Sequence, residues 1–313
     1  MKQHSINVWK IGRKWVVSIF RLIVLLALSY IVLYPLFAMI SYSLRTPVEL
    51  ADPSVVWIPK NLDFSNYSIA IETMGYWSAL WNTVLMMMTS AFIEVFTCSL
   101  AAYGFARFKF KGQNILFGIV LLMAVVPAQS FITPLYLNFR FFDFGGVLSL
   151  VNGIFGTNLS INLIDTPWVF WIPSLFGVGI RAGLFIFIYR QFFMGLPREL
   201  EEAAYIDGAG PFKTFLRVIL PSSGVVFLTV SIFSMIWHWN DYYLSVMYFT
   251  NNHPLAVALS AMRDSLPGLG YPENVSLGIV MAACVLFVLP MLLIYGVLQR
   301  KFIQSVDRVG IVG

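Results

Sequence analysis

Six stretches of this chain are long enough and apolar enough to cross a lipid bilayer. They run over residues 15–44, 77–106, 115–137, 168–193, 218–239 and 275–298, and a helix crossing the hydrocarbon core needs about 20 apolar residues in succession. Of the 313 residues, 59% are hydrophobic and only 11% charged, so too little polar surface exists to cover a soluble core, and lipid is the natural solvent. The pattern predicts an all-α membrane protein with six transmembrane helices. Lys10, Arg13 and Lys14 precede the first run as they would in a signal peptide. Its apolar part is longer than a signal core, and no small-residue cleavage site closes it before "SYSLRTPVEL", so it is expected to be a retained helix.

The basic residues orient the spans. With the N-terminus inside, the inner segments carry Lys2, Lys10, Arg13, Lys14 and Arg21, then Arg107, Lys109 and Lys111, then Arg190, Arg198, Lys213 and Arg217, then Arg300, Lys301 and Arg308. These are 15 of the 20 Lys and Arg residues, so the bias places both termini in the cytoplasm. The expected organisation is a cytoplasmic segment 1–14, one transmembrane domain 15–300 and a cytoplasmic tail 301–313. The outer loops, about 45–76 and 138–167, contain turn formers such as "ADPS" and "DFGG" and are expected to fold as small caps. Basic residues spread over short loops fit topology and not nucleic-acid binding. Cys98 and Cys284 lie in apolar runs, as packed side chains and not as disulfide or metal ligands. No catalytic residue or metal site is assigned, and no Gly-rich loop ends in Gly-Lys-Ser/Thr, so ATP is not bound by that route.

One polar island interrupts the apolar runs, "EEAAYIDGAGPFKTFLRVILP" at 201–221. Pro197 suits a first helical turn, and "RELEEAAYI" follows as helix formers with acids near the positive N-terminal end. Asp207-Gly208 stops that helix, and Gly210-Pro211 bends the chain into a second short helix. Ala203, Ala204 and Ala209 leave a small-residue surface that another backbone can approach, flanked by charges and by Tyr205, Phe212 and Phe215. An ordinary solvated loop and a docking knob are both consistent with these residues.

The island resembles the EAA loop of the membrane subunits of ABC importers. That pattern is E-A-A, three residues, G, nine residues, I, one residue, L-P; Glu202-Ala203-Ala204, Gly208 and Leu220-Pro221 match, and Val218 stands at the Ile position. "SLAAYGFARFKFKG", "VVPAQSFITPLY", "RQFFMGLPRELEEAAYIDGA" and "WNDYY" followed by "HPLAVALS" are similar to the carbohydrate branch of that family, the maltose-type permeases. The outer segment 141–166 is longer than usual there, and the tail "VGIVG" matches loosely.

The resemblance implies the ABC importer permease fold with a cytoplasmic coupling helix in loop 197–221. Glu202 would meet basic groups of an ATPase subunit, Ala203, Ala204 and Ala209 would pack closely, and Asp207-Gly208 would form the turn. It implies a bacterial cytoplasmic-membrane location and four kinds of partner: a second homologous permease, two ATPase subunits that bind the ATP, an extracytoplasmic solute-binding protein, and lipid. On the residues alone, an ion-driven secondary carrier and a membrane scaffold remain rivals, and permeases for peptides, phosphate or polyamines share the EAA pattern.

Glu94 and Arg181 stand apart as charges inside predicted spans. Glu94 lies about 20 Å along a helix from Arg107, and Arg181 about 14 Å from Arg190. Each therefore falls near mid-membrane, where a charge costs about 2.5–3.5 kcal/mol. Their depths and opposite signs predict an ion pair across the second and fourth spans; lining of the transport route is the other reading. Gln129, between Pro127 and Pro134 of the third span, and Asn240 of "WNDYY" are further pathway candidates. Trp237, Trp239, Tyr242 and Tyr243 fit either an interfacial aromatic belt or a sugar-stacking mouth.

Overall fold

The computed structural model describes the backbone of residues 2–157 and 159–310, and the side chains of these residues except 2–12, 128, 129, 273, 274 and 300–310. Residues 311–313, the end of the expected tail, lie outside the described residues. Apart from one β-bridge, Phe142 to Ile161, the regular elements among the described residues are helical. In chain order the longer ones are α1 (Lys2–Ser43), α2 (Ser65–Thr73), α3 (Tyr76–Arg107), α4 (Gln113–Val125), α5 (Ile132–Arg140), α6 (Val147–Phe155), α7 (Trp168–Leu175), α8 (Ala182–Gly195), α9 (Glu199–Ile206), α10 (Pro211–Ser222), α11 (Gly224–Trp239), α12 (Leu255–Ser265) and α13 (Glu273–Gly310). They fall into two compact units, residues 1–73 with 262–286 and residues 74–261 with 287–313.

In the first unit the stretch 15–43 of α1 is apolar on all sides apart from Arg21, the character of a helix solvated by lipid; Trp15, Phe20, Leu25, Ile31 and Val32 are each more than half exposed. The loop after it is an ordered cap. Buried Arg45 donates from Nη2 to Ser41 Oγ at 2.8 Å and to the Val56 carbonyl at 2.7 Å. Glu49, also buried, accepts the backbone N–H groups of Lys60 and Asn61 at 3.2 and 2.8 Å. Asn66 of α2 donates to the carbonyls of Ser43 and Arg45 at 3.1 and 3.0 Å. Each tie satisfies a polar group that burial would otherwise leave unpaired.

In the second unit α3 is the axis, with α8, α11 and α7 packed around it and α4 packed against α8. Its core joins Cys98, Ala102 and Tyr103 of α3, Phe185, Tyr189 and Phe193 of α8, Phe215 and Ile219 of α10, and Val226 and Val230 of α11. α8 and α4 touch backbone to backbone at Gly183, where an added Cβ would lie 2.4 Å from the Val120 carbonyl oxygen. Only glycine allows that approach.

Among the described residues, three helices are long and apolar enough to cross a membrane, within Arg13–Ser43, Tyr76–Arg107 and Val275–Gln299; counting the bent pair α10–α11 as one span makes four. The third, fourth and fifth predicted spans are not continuous helices. α4 ends at Val125, Val126 and Pro127 are extended, and a short 3₁₀ turn, Ala128–Phe131, leads into α5. Pro127 lacks an N–H and keeps its predecessor out of the α region. Pro134, expected to bend the span, sits in the first turn of α5, where no N–H is required. α7 stops at Leu175, and Gly177 (φ +66°) and Arg181 (φ +63°) turn the chain before α8. α10 and α11 meet at 84°.

The second expected cap is closed by Asp165, which accepts the backbone N–H groups of Thr250 and Asn251 at 2.8 and 3.0 Å, the Asn251 side-chain amide at 3.0 Å, and the Thr250 hydroxyl. Burial alone would raise the Asp165 pKa; the hydrogen bonds outweigh it and bring the group down to about 2.

Candidate functional site

The polar island folds as two short helices with a built turn between them. α8 ends at Gly195, Leu196 is extended, and α9 begins with Glu199, Glu201 and Glu202 in its first turn, where the helix dipole favours acids. Its end is a Schellman motif: Ala209 N–H reaches the Ala204 carbonyl at 2.9 Å, and Gly208 N–H the Tyr205 carbonyl at 3.0 Å. Gly208 has φ +76°, the left-handed region that glycine enters without a Cβ penalty. Gly210 is extended and Pro211 opens α10.

The two faces of α9 differ. Glu202, Ala203 and Ile206 are exposed, as are Asp207 and Gly208 beyond the helix end; Ala209 is half-buried. Glu201 and Ala204 point inward, 7% and 8% exposed. Ala204 therefore belongs to the packing of α9 against its own chain, and not to the outward surface expected of it. Beneath α9 lies the turn Phe215–Ile219 of α10, whose Phe215 and Ile219 are fully buried in the core. Glu201 Oε1 lies 2.9 Å from Arg107 Nε in a buried ion pair that lacks hydrogen-bond linearity. Arg107 Nη2 donates to the Leu196 carbonyl at 2.9 Å.

Glu94 is fully buried in α3, and its neighbours are not those expected. Glu94 Oε2 accepts from Ser234 Oγ at 3.3 Å and lies 3.6 Å from His238 Nε2, both on α11. His238 Nδ1 is 2.9 Å from the Ser234 carbonyl, so it bears the proton donated there. Nε2 is left facing the Glu94 carboxyl. A Cβ on Gly179 would lie 2.5 Å from Glu94 Oε1 and 3.0 Å from Ser174 Oγ, so the loop before α8 closes the other side of the cluster.

Arg181 makes no ion pair with Glu94. It is exposed, at the N-cap of α8, and its guanidinium lies 5.7 Å from the Trp237 ring centroid. The depth comparison assumed an unbroken helix over 168–193, and the turn at 176–181 removes that premise. Gln129 lies in the 3₁₀ turn after Pro127, and its side chain is outside the described residues. Asn240 is exposed after α11, its amide folded back onto the Ile236 carbonyl at 2.8 Å. It borders an apolar cavity of about 210 Å³ with Trp239, Phe287 and Tyr295. Trp239 is buried and donates its indole N–H to the Phe287 carbonyl at 3.2 Å, whereas Tyr243 is 58% exposed.

Residues 95–308 match the family model described as binding-protein-dependent transport system inner membrane component. The chain belongs to that family. The permease is similar over nearly its whole length to curated relatives. The arabinooligosaccharides transport system permease protein AraQ of Halalkalibacterium halodurans is 24% identical, over 91% of this chain and 93% of that one. The probable starch degradation products transport system permease protein AmyC of Thermoanaerobacterium thermosulfurigenes is 26% identical, over 90% and 92%. The diacetylchitobiose uptake system permease protein NgcG of Streptomyces coelicolor is 27% identical, over 90% and 84%. A crystal structure of a bacterial ABC transporter involved in import of the acidic polysaccharide alginate contains a chain of the same fold, with TM-score 0.70 and 20% identity, over 92% of the permease and 96% of that chain. The carrier and scaffold rivals give way to this membership.

Sequence reasoning missed five residues of the permease that the fold brings to these sites. Arg107 and Glu201 are 94 positions apart, and both read as ordinary cytoplasmic charges. Ser234 and His238 have i, i+4 spacing inside an apolar run, the one legible sign of a polar stripe on α11. Gly179 carried no sign at all.

Proposed function

We propose that the permease is the translocation-pathway subunit of an ATP-driven importer for a carbohydrate of oligosaccharide size. The observation that carries this reading is the similarity over nine-tenths of the chain to permeases named for arabino-oligosaccharides, starch degradation products and diacetylchitobiose. In this reading the chain sits in the bacterial cytoplasmic membrane beside a second homologous permease, above two ATPase subunits, and receives substrate from an extracytoplasmic binding protein. Its domain layout is a cytoplasmic segment 1–14, the membrane domain 15–300 and a tail 301–313. Six spans with both termini inside accommodate the one-sided basic residues. Three of them are broken helices, tolerated at membrane depth where the non-helical backbone is buried in protein or lines a wet route.

Coupling follows from the shape of α9. Glu202, Ala203 and Ile206 face outward on a short helix whose inner face is fixed, so they supply the docking surface for an ATPase subunit, with the Gly208 turn holding α9 against α10. Closure of the ATPase dimer on ATP displaces the docked helix and, through it, the spans. Glu94, with Ser234 and His238, ties α3 to α11 within the membrane domain. The test is reconstitution with the partner ATPases and binding protein in vesicles, with labelled arabino-, malto- and chito-oligosaccharides offered against phosphate and a short peptide. ATP-dependent uptake confined to an oligosaccharide is expected. Uptake of phosphate or peptide alone would assign the permease to a different solute.

A further inference from the structure

The covalent connections of α9 are poor at transmitting force. On its N-terminal side Leu196 is extended; on its C-terminal side come Gly208 with φ +76° and an extended Gly210. A push on α9 is therefore not carried along a continuous helix in either direction. α9 does rest on the turn Phe215–Ile219, but an apolar contact is non-directional and does not fix one position against sliding.

One side chain does make a directed connection. Arg107 is the last residue of α3, the axis of the second unit. Its guanidinium reaches this region at two points, each at 2.9 Å: an ion pair with Glu201 on the inner face of α9, and a hydrogen bond to the Leu196 carbonyl three residues ahead of the helix. The side chains of Arg107 and Glu201 are only 5% and 9% exposed, so water screens the pair little, and separating it strands a charge. Glu201 precedes the exposed Glu202, so adjacent acids face opposite ways, one toward the interior and one toward solvent.

We infer that Arg107 is a positioning residue that fixes α9 to the end of α3, so that a displacement of the docking helix moves α3 with it as one body. This rests on the importer reading and adds the element that receives the motion. The outward acid, Glu202, serves docking; the inward acid, Glu201, serves transmission.

The experiment uses the whole importer in lipid nanodiscs, with Cys98 and Cys284 replaced by alanine and spin labels on cysteines at Glu199 of α9 and Leu100 of α3. In the unaltered pair the distance distribution should stay superimposable between the nucleotide-free and ATP–vanadate states. In Arg107→Met with Glu201→Leu, which removes both charges and strands neither, the ATPases should still copurify while the distribution shifts or broadens on ATP–vanadate. Arg107→Lys keeps the charge and loses the two-point grip, and should show the same loosening if the double variant fails to assemble. A distance that changes in the unaltered pair, or variants that stay superimposable, would overturn the inference. Failure of any ATPase to copurify with the unaltered chain would instead count against the importer reading.

Discussion

Replacing His238 by leucine tests which group balances Glu94. Both side chains of the pair are fully buried and lie 3.6 Å apart, so neither has water as an alternative partner. Removing one partner of a buried pair costs about 3–5 kcal/mol, because the other is left uncompensated. Arg181 is exposed and sits 5.7 Å over Trp237, an interaction of about 0.5–1 kcal/mol. His238→Leu should therefore reduce the folded-to-unfolded ratio by more than about a hundredfold, and Arg181→Gln by less than about tenfold. Glu94→Gln alone should be milder than His238→Leu, since an amide can still donate to the imidazole. Combined with His238→Leu it should recover about 1–3 kcal/mol, the coupling expected of contacting residues. The assay is equilibrium unfolding in mixed micelles alongside abundance in the membrane. If Arg181→Gln costs as much as His238→Leu, or if the Glu94 and His238 changes add without coupling, the assignment of His238 as the partner is wrong.

Further predictions concern the surface. Cysteines at Ser65 and Ser160 should react with an impermeant reagent from outside, and cysteines at Ser5 and Gln304 should not; the reverse pattern would refute both termini being inside. Glu202→Lys should leave the permease inserted but weaken copurification of the ATPase, and Gly208→Val should do the same, because a β-branched residue at φ +76° is strained; wild-type copurification of both would remove α9 as the docking element. The Asp165 tie is stabilising above the ordinary carboxyl pKa of 3.8 and is lost as pH falls through about 2. Hydrogen exchange at Thr250 and Asn251 after an acid pulse should show that loss of protection, and Asp165→Asn should show it at neutral pH. In the proposed topology the loop between the fifth and sixth spans lies on the outer side, where a binding protein would dock, so shortening Pro267–Leu269, which leaves the buried Leu266 in place, should lower stimulation by the binding protein without loss of assembly; unchanged stimulation would exclude this loop from docking.

The class of this protein was legible because membrane solvation acts on composition. Long apolar runs have one low-energy arrangement in lipid, and the first, second and sixth predicted spans correspond to α1, α3 and α13. The polar island was legible for a related reason: a turn that needs glycine at one φ and proline at one helix start leaves those residues in fixed order, and Gly208 and Pro211 occupy those places.

What stayed hidden depended on contacts between elements distant in the chain. The breaks at Pro127, at Gly177 to Arg181 and at Ser223 lie inside sequence that reads as continuous span, and hydropathy measures solvent preference without measuring helix continuity. Glu94 lies on α3 and His238 on α11, and Arg107 and Glu201 likewise belong to different helices. A charge announces in the sequence only that it needs a partner. Which partner it receives is decided by helix crossings such as that of α8 over α4 at Gly183, where the absence of a side chain sets how closely two backbones approach.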